Sequence, residues 1–185
     1  MALSKTKIVI MRRILFLSIT FSVILFSCKK SDVVTDSNSN NNNNNNNNSG
    51  DVVYNINKAT LLQLVNDVRT KGCTCGTTVM PAVGTLTWDD QLAKAGYDHS
   101  VDMNKNDYFS HTGLDGSSPG QRITAAGYTW SSYGENIANG YTTEQAVMTG
   151  WLNSEGHCRN IMGAGFTNIG VGRDGNYWTQ VFGAK

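Results

Sequence analysis

Histidines, cysteines and one glycine-flanked glutamate are the side chains of this chain most able to do chemistry. Among 185 residues there are three histidines and four cysteines. His111 follows an aromatic pair into a glycine-rich loop, "YFSHTG", and loops carried by a rigid scaffold are where binding groups gather. Glu135 lies in "SYGENIANG", between Gly134 and an asparagine able to order a turn. His157 and Cys158 sit side by side in "NSEGHCRNI", a pairing open to catalysis, a metal, a disulfide or a crowded turn. Two imidazoles and one carboxylate make a set that zinc accepts with a position left open for water. The same trio could perform acid/base work. No HExxH is present, and positions 111, 135 and 157 have no helical spacing that forces them together. His99 differs, because it shares a helical stripe with Leu92 and Met103 and reads as a buried structural histidine.

The elements that must position these groups follow from periodicity. In "NINKATLLQLVNDVRTKG", Ile56, Leu61, Leu64, Val65 and Val68 recur at helical spacing and Gly72 supplies the stop. A second helix follows Trp88, with Leu92, Gly96, His99 and Met103 on one stripe. Ser118 before Pro119 reads as an N-cap ahead of Pro at the first helical position, with Gly127 closing that short helix. Thr142 with Gln145 suggests a capping box for the helix through Ala146, Val147 and Trp151. "TNIGVGRDGNYWTQVFG" alternates, turns at Asp174-Gly175 and returns, a hairpin. Helices first and paired strands last favour an α+β fold with an antiparallel sheet covered by helices.

The N-terminus sets the compartment. Lys5, Lys7, Arg12 and Arg13 precede an apolar run from Ile14 to Phe26, well short of the ~20 residues of a membrane-spanning helix and of secretory signal length. The run ends "LFSC", which resembles the bacterial lipoprotein signal, in which cleavage before the cysteine leaves Cys28 acylated. Residues 1–27 are therefore expected to be removed. "MRRILF" at Met11 offers an alternative start. Removal takes four basic residues and no acidic one, leaving 11 basic against 14 acidic, which argues against a nucleic-acid partner. Residues 28–54, centred on an asparagine run from Asn40 to Asn48, lack any apolar period and read as a disordered tether. As a flexible coil of about 26 residues it spans ~25 to 30 Å. The globular domain occupies residues 55–185.

Six stretches, "LTWDDQLAKAGYDHSVDM", "YFSHTGLDGSSPGQRITAAGY", "YGENIANGY", "GWLNSEGHCRNIM", "FTNIGVG" and "YWTQVFG", occur in the order seen in bacterial members of the CAP superfamily, the SCP-like domains. The chain resembles them from about residue 56 to 184. The resemblance implies an α-β-α sandwich with an open cleft. Eukaryotic members hold two His and two Glu there, which in some of them bind a divalent cation. By position, the resemblance puts His111 and Glu135 in that set. The other two places fall on Ser154 and Tyr177, so the eukaryotic tetrad is not reproduced. His157, from the bacterial "GH" motif, is expected to fill a neighbouring place. The implied ligand set is His111, Glu135 and His157, for zinc, magnesium or an organic ligand. Glu155 reads as solvated rather than as a second carboxylate.

Cys73, Cys75 and Cys158 remain after acylation of Cys28, in a compartment that permits disulfides. Adjacent helical residues diverge by about 100°, so His157 is poorly placed to activate Cys158. A bridge from Cys73 or Cys75 to Cys158 is expected, closing a loop of about 85 residues and contributing on the order of 4 kcal/mol. A zinc site of three cysteines and His157 is the rival, against the usual finger spacing. Three functions stay open: a lipid-anchored envelope protein, in the outer membrane, binding an ion or extracellular ligand in its cleft; a hydrolase of envelope peptides or glycans; and a structural module. No nucleophile with an adjacent base is visible, so the sequence does not decide whether the chain is an enzyme.

Overall fold

A computed structural model describes residues 54–185; the signal segment, Cys28 and the asparagine-rich tether lie outside the described residues. Helix α1 spans Lys58–Lys71. Asn57 caps it by accepting from the Thr60 amide, and Gly72, at φ 75°, ends it where the sequence places the stop. A short hairpin follows, β1 Cys73–Cys75 and β2 Thr78–Met80. Strand β3, Thr87–Trp88, leads into α2, Asp90–Lys105, whose N-cap Asp89 accepts from Gln91 and Leu92. Helix α3, Pro119–Ala125, begins with a full capping box between Ser118 and Gln121. Strand β4 is Ser132–Asn139, α4 is Glu144–Asn153 and α5 is Glu155–Ile161. Strands β5, Asn168–Asp174, and β6, Tyr177–Ala184, form the closing hairpin.

The main sheet runs β3-β5-β6-β4, antiparallel except that β3 lies parallel to β5. Its two faces carry different cores. Ile169, Val171, Trp178 and Phe182 face a cluster with Leu61 and Val65 of α1, Val147, Met148 and Trp151 of α4, and Cys158 and Ile161 of α5. Val181 points the other way, to Leu92 and Ala95 of α2, Ile123 of α3 and Tyr128. This is the α-β-α sandwich. The "GVG" of β5 explains how closely α2 lies on the sheet: a Cβ at Gly170 would overlap the backbone of Ala93, and one at Gly172 that of Tyr97. The apolar Val171 between them points to the opposite core, in keeping with the period-two alternation of a strand.

One capping detail differs from the sequence reading. Thr143, not Thr142, caps α4, accepting from the Ala146 amide. Either threonine has an acceptor three residues upstream of a helical amide, and the chain's path from β4 selects the second.

Candidate functional site

The carboxylate comes from β4, the sheet's edge strand, where Glu135 pairs with Val181 of β6. Its side chain is only 4% exposed. Burying a carboxylate is costly unless its oxygens are engaged, and both are. His111 Nδ1 lies 2.8 Å from Oε1, and Arg122 donates to Oε2 at 2.8 Å. An ionised carboxylate only accepts, so His111 donates through Nδ1, and its Nε2 is directed away from the carboxylate. The His111 side chain is half exposed.

The loop bearing His111 is fixed from two sides. His99, on the buried face of α2, donates from Nε2 to the Ser110 carbonyl at 2.9 Å, one residue before His111. The structure thus places His99 as the buried structural group that its stripe suggests, with Nδ1 unpartnered. Burial first, and then the Arg122 charge, lower its pKa. From α3, Arg122 donates to the His111 and Ser117 carbonyls, each at 2.9 Å, as well as to Glu135. A single guanidinium therefore joins the loop, the short helix and the edge strand, a use of the planar fork that lysine could not reproduce. Below this loop the Tyr108 hydroxyl donates to Asp102, and burial together with that bond pushes its pKa up to about 12.

His157 arrives on α5, which is latched to β4 by amides. Asn136 is wholly buried; its Nδ2 donates to the His157 carbonyl at 3.1 Å and to Gln180 Oε1 at 2.9 Å. Asn160 donates to Asn136 Oδ1 at 2.8 Å and to the Glu135 carbonyl at 3.2 Å. On the far side Arg69, with no exposed surface, donates to the carbonyls of Gly84, Ile161 and Gly163, which holds the end of α5 against α1. Burial lowers the pKa of His157, and the charge of His111 lowers it further. His111 and His157 are thus carried on neighbouring elements, the His111 loop held to Glu135 and α5 latched to β4 through Asn136 and Asn160.

The sequence reading named His111, Glu135 and His157, of which the structure joins His111 to Glu135; Arg122, Asn136 and Asn160 it passed over. Arg122 stood inside one of the quoted motifs, yet nothing in its spacing pointed to Glu135, 13 residues on. Glu155 pairs with Arg159 at 2.7 Å, both side chains about half exposed, so it is solvent-facing as expected. Tyr177 lies against Phe109, with ring centroids 6.4 Å apart. Cys158 is bonded to Cys75, and Cys73 is free, so Cys158 faces β1 from α5. Arg122 also lines a cavity of about 450 Å³ together with Asp102 and Ser117, and a second cavity, of about 440 Å³, is lined by Gly120, Trp130 and Tyr133.

A divalent ion held by His111, Glu135 and His157 does not fit this arrangement. Both Glu135 oxygens are already engaged, and one of them touches a guanidinium that an incoming cation would oppose. Among the described residues, the one cluster of three candidate ligand side chains within 4.8 Å is Cys73, Cys75 and Cys158, and the Cys75–Cys158 disulfide leaves only one thiol in it. What the arrangement can do is hold the His111 imidazole in a fixed orientation.

Comparison with known proteins agrees with this architecture. Residues 62–182 match the model of the CAP family, the cysteine-rich secretory protein family, and the chain belongs to it. It is 34% identical over 130 residues to the uncharacterized membrane protein YlbC of Bacillus subtilis (strain 168), covering 70% of this chain and 35% of that protein. It is 40% identical over 102 residues to the uncharacterized protein YkwD of the same organism, covering 54% of this chain and 40% of that protein. The chain therefore spans well under half the length of these curated relatives. Among solved structures it is similar to an extracellular protein containing an SCP domain from Bacillus anthracis str. Ames. The TM-score is 0.62 and the identity 34%, over 69% of this chain and 40% of the other. An outer surface protein from Borrelia burgdorferi shares the fold, with TM-score 0.58 and 23% identity over 69% of this chain and 91% of that one.

Proposed function

We propose that this is a cell-envelope protein, anchored to the outer membrane through acylated Cys28 and held off the lipid by its asparagine-rich tether, whose CAP domain binds an extracellular ligand at His111 and His157. The observation that carries the binding reading is the buried Glu135 carboxylate, engaged at both oxygens, which turns His111 Nδ1 inward and leaves Nε2 for a ligand. Such preorientation makes a polar contact cheaper to form, because the imidazole loses little rotational freedom on binding. Cavities along α3, one lined by Asp102, Ser117 and Arg122 and one with the aromatic pair Trp130 and Tyr133, suit an extended envelope glycan or peptide better than a bare ion. Extracellular placement is supported by the relatives, one named a membrane protein and one an extracellular protein. No helix among the described residues is long and apolar enough to cross a membrane.

A second reading, hydrolysis of envelope peptides or glycans, is favoured by the same pair, since a carboxylate orienting an imidazole is the arrangement of general acid/base catalysis. The test is a ring-NMR titration of His111 and His157 with zinc, magnesium, and peptide and glycan fragments of the bacterial envelope. The proposal expects both rings to shift with a fragment. If only the metals move them, the site is an ion site after all. If nothing does, ligand binding at His111 and His157 is wrong. Turnover of a bound fragment, abolished in His111→Ala, would promote the hydrolase.

A further inference from the structure

The third thiol of the cysteine cluster stands against the disulfide without belonging to it. Cys73 and Cys75 are two residues apart on β1, so the strand's period of two aims both sulfurs to one side and Thr74 to the other. Cys158 of α5 faces that side. Cys75 holds the bond, with a Cα separation of 5.5 Å. The free Cys73 Sγ lies 3.6 Å from Cys158 Sγ and 3.8 Å from Cys75 Sγ. A cavity of about 200 Å³, lined by Val68, Lys71, Cys73, Leu152 and Cys158, opens onto the pair. A nucleophile thus stands at van der Waals distance from its own electrophile.

We propose that Cys73 and Cys75 exchange Cys158 between them, so that the chain carries one disulfide with two interchangeable partners. Cys73 gives its proton to solvent, and the thiolate forms a bond to Cys158 Sγ as the Cys75–Cys158 bond breaks. The electron pair of that bond leaves on Cys75 Sγ, which takes a proton from solvent. One S–S bond exists before and after, so no oxidant or reductant is consumed. The nearly equal distances put Cys73 broadside to the bond, and in-line attack requires its side chain to turn toward the extension of the Cys75–Cys158 axis. Attack on Cys75 instead would join residues two apart in one strand. Their Cα atoms are then separated by roughly 6.6 Å, near the upper limit for a disulfide, so Cys158 is the favoured target.

Exchange changes which thiol the solvent meets. With Cys75 bonded, the free sulfur is the half-buried Cys73 beside the cavity; with Cys73 bonded, it is Cys75, which has no exposed surface. Both isomers tie β1 to α5, so the helix that carries His157 keeps its covalent tether in either. Burial pushes the Cys73 thiol up, which slows the exchange at neutral pH and makes it base-accelerated.

The test uses the full chain carrying Cys28→Ser. It is held at pH 7, 8 or 9, quenched in acid, unfolded, capped with N-ethylmaleimide under acid conditions, and mapped by fragmentation mass spectrometry. The expected result is a cap on both Cys73 and Cys75, the minor one at about a tenth or more, with the mixture reached about tenfold faster at pH 8 than at pH 7. A cap confined to Cys73 after prolonged incubation at pH 9, or one on Cys158, overturns the proposal. Cys75→Ser gives a second readout: it is expected to link Cys73 to Cys158, and a folded variant with both thiols free contradicts the exchange.

Discussion

Replacing Glu135 with alanine probes the buried carboxylate that orients His111. Its side chain is 4% exposed and makes two contacts of 2.8 Å, to a half-exposed imidazole and to Arg122, itself 12% exposed. Removing one partner of a buried ion pair costs about 3–5 kcal/mol, because the other charge is stranded. Arg122 keeps the Ser117 and His111 carbonyls as acceptors, and the His111 contact, half in water, adds less than about 1 kcal/mol. The cost therefore falls near ~3 kcal/mol, or a urea midpoint lower by about 1.5 M at a slope near 2 kcal/mol/M. Buried Trp151 and Trp178 make fluorescence the natural probe. Arg122→Ala should cost a similar amount, and the double variant far less than their sum, with a coupling of about 2 kcal/mol. A Glu135→Ala variant within about 1 kcal/mol of the parent, or strictly additive single changes, refutes the argument that these groups sustain one another.

Gly172→Ala should cost more than the ~1–3 kcal/mol usual for overpacking, since its Cβ would meet the Tyr97 backbone rather than a movable side chain; Gly156→Ala, with open space around it, should be neutral or slightly stabilising. Equal urea midpoints for the two variants would contradict the close seat of α2. Lowered pKa values of His99 and His157 set an acid limit. Below about pH 6.5 the unfolded chain binds protons that the folded chain refuses, so stability falls with pH by up to about 1.4 kcal/mol per unit for each group and is fully present above that value. Urea midpoints at pH 7.5 and 5.5 check this, and an equal or higher midpoint at pH 5.5 contradicts it.

Four helices were legible from a 3.6-residue stripe or a capping residue, with the Gly72 stop of α1 and the Ser118-Pro119 start of α3 falling where the sequence marks them. The short α5, which has no side-chain cap, was not delimited as a helix. The β5–β6 hairpin was legible through its alternation and its Asp-Gly turn. Strand β4 was not. As an edge strand it mixes Gly134, Glu135 and Asn136 in place of a clean alternation, and its buried polar residues look like a turn until Arg122, Asn160 and Gln180 are brought to them. The two-residue β3 carries too little sequence to declare itself and is defined by its pairing with β5. At the site, family motifs pointed to His111, Glu135 and His157, whereas the partners that decide their chemistry are tertiary. No spacing rule could show that Arg122 would claim the second oxygen of Glu135.

Ligand binding between His111 and His157 requires the two rings to face each other, and titrating His157 by NMR in the parent chain and in His111→Gln tests that most directly. With the neighbouring imidazole charge removed, the pKa of His157 should rise toward its ordinary value while still held down by burial. An unchanged His157 titration would mean that the two rings do not face each other, and the binding site drawn between them would not exist.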